Sequence, residues 1–239
     1  MLSWLGCALL LLAPVAAGAT PAVDWTARLA AHPELTDGIR LARGRARLAG
    51  GDRAGAVVDA EAVYHAAPPW ADEAAWLRAQ ASASCRQVLT WIERAPARAG
   101  AIPAPARLAL RAQAARACGD QPAAAADERR LAVEFPWTPQ AEALAARLTL
   151  TAAERMAQAA AWEGHRDYGR ARAILSGLAD GPEGQAARFA LARLALDRER
   201  RDFPGAARAY EALAREPGPR QGEAAYEAAR AWGRAGELD

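Results

Sequence analysis

The sequence predicts an all-α chain, and within that class a right-handed α-solenoid of about five stacked helical hairpins. Two observations predict it: alanine, the strongest helix former, makes up about 29% of the chain, and turn residues recur at a fixed period. A third removes the main competitor. No alternating run of β-branched residues reaches strand length between turn signals, so no sheet is expected. Hydrophobic residues form 52% of the 239 and charged residues 24%, a globular balance rather than that of a disordered tail.

Taken in chain order, the first charged side chain is Asp24. Ahead of it lie an apolar run from Ala8 to Leu12, a break at Pro14, and small residues at Ala17 and Ala19. That order matches an export signal with its cleavage site, so residues 1–19 are expected to be a removed signal peptide and residues 20–239 the solenoid. The expected location is the periplasm. Cys7 precedes the apolar core instead of following the cleavage point, which argues against a lipid anchor. No later run of 18 uncharged apolar residues occurs, so no membrane contact is expected after signal removal.

The repeat is first seen in Gly44, Ala49, Gly51-Asp52, Ala56, Ala60, Val63 and Pro68. Gly119-Asp120, Ala124, Leu131 and Pro136 reproduce those offsets 68 residues on, twice a period of 34. Asp167-Tyr168, Ala171 and Leu175 form a third copy, and Asp202-Phe203, Ala206 and Tyr210 a fourth 35 residues later. A half-copy closes at Gly236-Glu237-Leu238, where the chain stops after the first helix of a hairpin. Such offsets are tetratricopeptide-like: Gly or Asp closes one helix, and alanine at the crossing lets two helices approach. Each hairpin has an apolar face that only a stacked neighbour can cover.

Two stretches vary the theme. Between Trp70 and Pro96 the Gly-Asp turn is replaced by Ser82 to Ser84, with Ser84 capping a helix through Val88 and Ile92. Thr151-Ala152-Ala153-Glu154 reads as a capping box that starts the helix of Met156 and Trp162. The prolines at 68–69, 96, 103–105, 136–139 and 217–219 read as joints between hairpins.

The charge pattern excludes one broad class. All 30 basic residues are arginine, they are interspersed with 28 acidic ones, and the net charge of +2 builds no basic stripe for nucleic acid. His32, His65 and His165 are isolated, with no second ligand at helical spacing, so no metal site is expected. No nucleophile elbow, phosphate loop or zincin motif occurs, leaving no catalytic residue and no cofactor to nominate. Acidic pairs such as Asp127-Glu128 read as solvated helix faces. Of the eight tryptophans, Trp137, held between Pro136 and Pro139, is expected to be the most exposed and is the candidate for a groove contact. Cys85 and Cys118 lie 33 residues apart at nearly equivalent repeat positions, a candidate disulfide in an oxidising compartment.

Three stretches together carry a resemblance. Phe135-Pro136-Trp137-Thr138-Pro139-Gln140-Ala141 with Leu150-Thr151-Ala152-Ala153-Glu154, then Arg166-Asp167-Tyr168-Gly169-Arg170-Ala171, and Ala224-Ala225-Tyr226-Glu227 through Trp232 resemble the alanine-rich helical region of bacterial soluble lytic transglycosylases. The resemblance covers about residues 35–239. It implies a helical superhelix ahead of a lysozyme-like domain, whose glutamate, in a Glu-Ser dipeptide, cleaves peptidoglycan to a 1,6-anhydro product. This chain holds no Glu-Ser dipeptide, so no catalytic residue carries over. The expectation is therefore a fragment whose catalytic part lies beyond residue 239, with glycan strands or that missing domain as partner. The competing expectation is a free-standing periplasmic adaptor whose groove takes a protein partner.

Overall fold

The computed structural model describes residues 23–66, 68–95, 102–196 and 201–236. The signal peptide expected at 1–19, Pro96 and the Glu237-Leu238 end of the last half-copy lie outside them. The described residues form thirteen α-helices and no strand. In order these are α1 (Trp25–Ala31), α2 (Thr36–Ala49), α3 (Arg53–Ala66), α4 (Ala71–Ala81), α5 (Cys85–Arg94), α6 (Ala104–Ala117) and α7 (Gln121–Glu134). They continue as α8 (Pro139–Ala145), α9 (Ala152–Gly164), α10 (Tyr168–Ser176), α11 (Gly184–Ala195), α12 (Phe203–Ala214) and α13 (Gln221–Ala235). None of the helices is long and apolar enough to cross a membrane.

One joint, used repeatedly, sets the hairpins. At the end of α2, Gly51 adopts φ 87°, its amide donates to the Leu48 carbonyl at 3.1 Å, and the Asp52 amide donates to the Arg47 carbonyl at 2.8 Å. Those two bonds satisfy carbonyls that the helix end leaves orphaned. The same Asp52 then turns its carboxylate to the Gly55 amide at 2.8 Å and so caps α3. A single aspartate thus ends one helix and begins the next. Gly119-Asp120 repeats the joint between α6 and α7, with φ 85° at the glycine and Asp120 accepting from the Ala123 amide at 3.0 Å.

Arginine takes the glycine's place in the later copies. Arg166 (φ 65°) precedes Asp167, which caps α10, and Arg201 (φ 45°) precedes Asp202, which caps α12. A side chain in the left-handed region costs about 1–2 kcal/mol. The joint is retained there by its hydrogen bonds, including Asp167 amide to Trp162 carbonyl at 3.0 Å.

The buried apolar residues fall into clusters, each drawn from helices that follow one another in the chain. Leu41, Val63 and Leu77 join α2, α3 and α4, while Ala79, Trp91 and Ala114 join α4, α5 and α6. Leu108, Leu131 and Leu144 join α6, α7 and α8. Trp162, Leu175 and Leu194 join α9, α10 and α11, and Phe189, Tyr210 and Ala228 join α11, α12 and α13. Close approach is enforced at Gly44 on α2, where an added Cβ would stand 2.7 Å from Leu77 Cδ2 and 3.2 Å from Asp59 Cβ.

Two expectations need correction. The prolines at 136–139 are not a bare joint: Thr138 accepts from the Ala141 amide and Pro139 opens the additional helix α8. Asp127 and Glu128 do not face solvent, being 4% and 7% exposed on the inner side of α7.

Candidate functional site

A carboxylate out of water must have its lone pairs met. Asp59, 1% exposed on α3, accepts from Arg43 through both Nε and Nη2 and from Arg47 Nη1 at 2.9 Å. Asp127 on α7 accepts from Arg111 in the same two-pronged way, with Nε at 2.6 Å. Glu128 accepts from Arg116 at 2.6 Å and from Arg147 at 3.0 Å. The Arg43–Asp59 and Arg111–Asp127 clamps stand 68 residues apart and have the same spacing of 16 within them. These guanidiniums tie the two helices of a hairpin together, and the Asp59 and Asp127 hydrogen bonds push the Arg43 and Arg111 pKa values further up.

The two cysteines are joined. Cys85, the first residue of α5, and Cys118, the C-cap of α6, form a disulfide with Cα atoms 5.6 Å apart. The histidines are separate from each other. His32 lies 3.5 Å from Glu34 on the surface, His65 packs edge-on to Tyr64, and His165 stacks on Trp137. Among the described residues no three His, Cys, Asp or Glu side chains converge as a metal-binding group.

Asp120 and Asp167 lie 47 residues apart, against 35 from Asp167 to Asp202 and 68 from Asp52 to Asp120. The extra length is α8 and its tail, and beside it opens a groove of about 430 Å³ between α7, α8 and α9. One wall is a stripe of α9: Arg155, Gln158 and Trp162, at i, i+3 and i+7 and therefore on one face. The facing wall on α8 is low, since Ala141 and Ala145 carry only methyl groups, with Glu142 exposed between them.

Trp137 lines the groove but is half-buried rather than exposed. Its ring stacks on His165 at 4.2 Å between centroids, with 2° between planes, and meets Trp162 edge-on at 6.1 Å. Trp162 is in turn covered by the Arg170 guanidinium, 4.4 Å from the ring centroid. Gln158 Nε2 donates to the Ala132 carbonyl at 2.9 Å and pins α9 to α7. At the N-terminus of α9 the capping box is complete, and Glu154 also accepts from Arg129 at 2.8 Å. The Thr151 amide, and then Arg129, hold the Glu154 carboxyl below the usual carboxylate range.

Two charges in the groove stay open. Neither Glu142 nor the half-buried Arg155 makes a side-chain hydrogen bond or ion pair with any described residue. The α9 stripe was not singled out from sequence, although its spacing of polar and aromatic residues is visible there once α8 is recognised as a helix.

Comparison with known proteins adds no family: no family model matches the chain, and no curated protein matches its sequence.

Proposed function

We propose that this chain is an exported α-solenoid scaffold that engages peptidoglycan without cleaving it, similar to the superhelical, non-catalytic region of soluble lytic transglycosylases. The observation that carries the binding role is the groove beside α8, where two tryptophans and two open charges meet in a hollow of about 430 Å³, within the size range of ligand clefts. The solenoid part of the reading is supported by the succession of core clusters, each shared by consecutive helices, and by the Gly/Arg-Asp joint repeated four times. Export is supported by the pattern of residues 1–19 and by the Cys85–Cys118 bridge, which suits an oxidising compartment.

Glycosidic chemistry supports the lack of cleavage. A general acid needs a carboxyl in a dry cleft that can keep and then donate its proton. Asp59, Asp127 and Glu128 are dry, but arginine donors occupy them; Glu142 is free, but wet. Purified mature chain incubated with sacculi is expected to release no 1,6-anhydro muropeptides, and their appearance would overturn the reading. A second reading, the free-standing adaptor, is favoured by the open Arg155 and Glu142, whose charges suit a peptide better than a neutral sugar.

A further inference from the structure

We infer that the groove between α7, α8 and α9 captures the free C-terminal carboxylate of a short peptide, with Arg155 as the anion receptor. This inference rests on the reading of the chain as a binding scaffold and names the chemistry its groove takes.

Most arginines in the described residues reach an acid, a carbonyl or an aromatic ring, and the buried acids Asp59, Asp127 and Glu128 are each met by guanidinium donors. Arg155 is half-buried, faces the groove and has no such partner. A guanidinium taken partly out of water gains most from a carboxylate that it can grip through two parallel bonds. Its Nη2 lies beside the C-cap of α10, where an added Cβ at Gly177 would stand 3.3 Å from it.

The remaining walls decide what else the ligand carries. A polyphosphate or other dense anion is disfavoured by Glu142, which shares the groove and would repel it. A neutral sugar would leave the Arg155 charge partly desolvated with nothing to answer it. A peptide answers each wall in turn: its carboxylate meets Arg155, a backbone N–H donates to Glu142, and an apolar side chain lies against Trp137 and Trp162. From Arg155 to Trp162 the helix rises about 10 Å, and extended chain advances about 3.3 Å per residue, so the stripe accommodates about three residues.

The test is a titration of the full mature chain with acetyl-Ala-Leu-Ala bearing a free carboxylate, followed by isothermal calorimetry. Its C-terminal amide and triacetylchitotriose are titrated in parallel. The free acid is expected to bind, its amide to bind at least about tenfold more weakly, and Arg155→Gln to lose the same factor for the acid while no longer distinguishing acid from amide. The acid-against-amide comparison on the wild-type chain stands even where the variant fails to fold. Equal affinity for acid and amide would overturn the inference, as would no binding of the acid at millimolar concentration. Chitotriose binding that survives Arg155→Gln while the peptide fails would overturn it in favour of a glycan groove. Sedimentation with sacculi reads the scaffold role separately: peptide failure with sacculus binding intact defeats this inference alone.

Discussion

Replacing Cys85 and Cys118 together by serine is expected to cost about 4 kcal/mol. The bridge closes a loop across a sequence separation of 33, from the first residue of α5 to the C-cap of α6. Closing about 34 residues removes roughly 13 cal/mol/K from the unfolded chain, which is about 3.7 kcal/mol at 25 °C. Little else changes in the folded state, because Cys118 is exposed and Cys85 only half-buried against the Trp91 cluster. Urea unfolding followed by helix ellipticity, run on oxidised protein, reduced protein and the double-serine variant, separates the effects. Reduced wild type and the variant should agree with one another and lie well below the oxidised protein. A loss under about 1 kcal/mol would refute the loop-closure reasoning, since the unfolded chain would then already hold the two ends together.

Three further outcomes follow from the joints and the buried groups. Asp59→Asn removes the charge shared by Arg43 and Arg47 and turns an NH2 donor toward guanidinium donors at a site 1% exposed, and should cost about 3 kcal/mol in denaturant unfolding, more than Asp127→Asn, whose partner Arg111 is 40% exposed. Arg166→Gly relieves the left-handed φ of 65° and should stabilise by about 0.5–1 kcal/mol, read as a raised thermal midpoint. Burial holds the Tyr210 phenol up at about 12, so its share of stability is whole below pH 10 and is lost as pH rises toward 12. Alkaline ultraviolet titration should therefore show a late phenolate step that Tyr210→Phe abolishes.

The joints were legible because they depend on backbone preferences that particular residues carry. Gly51 and Gly119 are where a left-handed residue is needed, and Asp52, Asp120, Asp167 and Asp202 are where a capping carboxylate is needed. Ser84 and Thr151, which cap α5 and α9, were readable for the same reason. Asp127 and Glu128 were misread because a charge on a helix shows no sign of burial until its partner on another helix is known. A trace was present nonetheless: Arg43 and Asp59 recur as Arg111 and Asp127 at equal offsets. The groove was hidden behind α8. Its prolines suggested a break in the chain, whereas Thr138 followed by Pro139 is a helix start. Trp137 was expected to be exposed; its burial under His165 depends on the α9 end returning beside it, which no local pattern encodes.

Co-sedimentation of purified residues 20–239 with peptidoglycan sacculi, at physiological salt, with the pelleted fraction measured against sacculus concentration, tests the scaffold reading. Saturable pelleting that is weakened by Trp137→Ala, with the sacculi recovered uncleaved, is expected. A chain that stays in the supernatant at every sacculus concentration, while remaining folded by ellipticity, would contradict it.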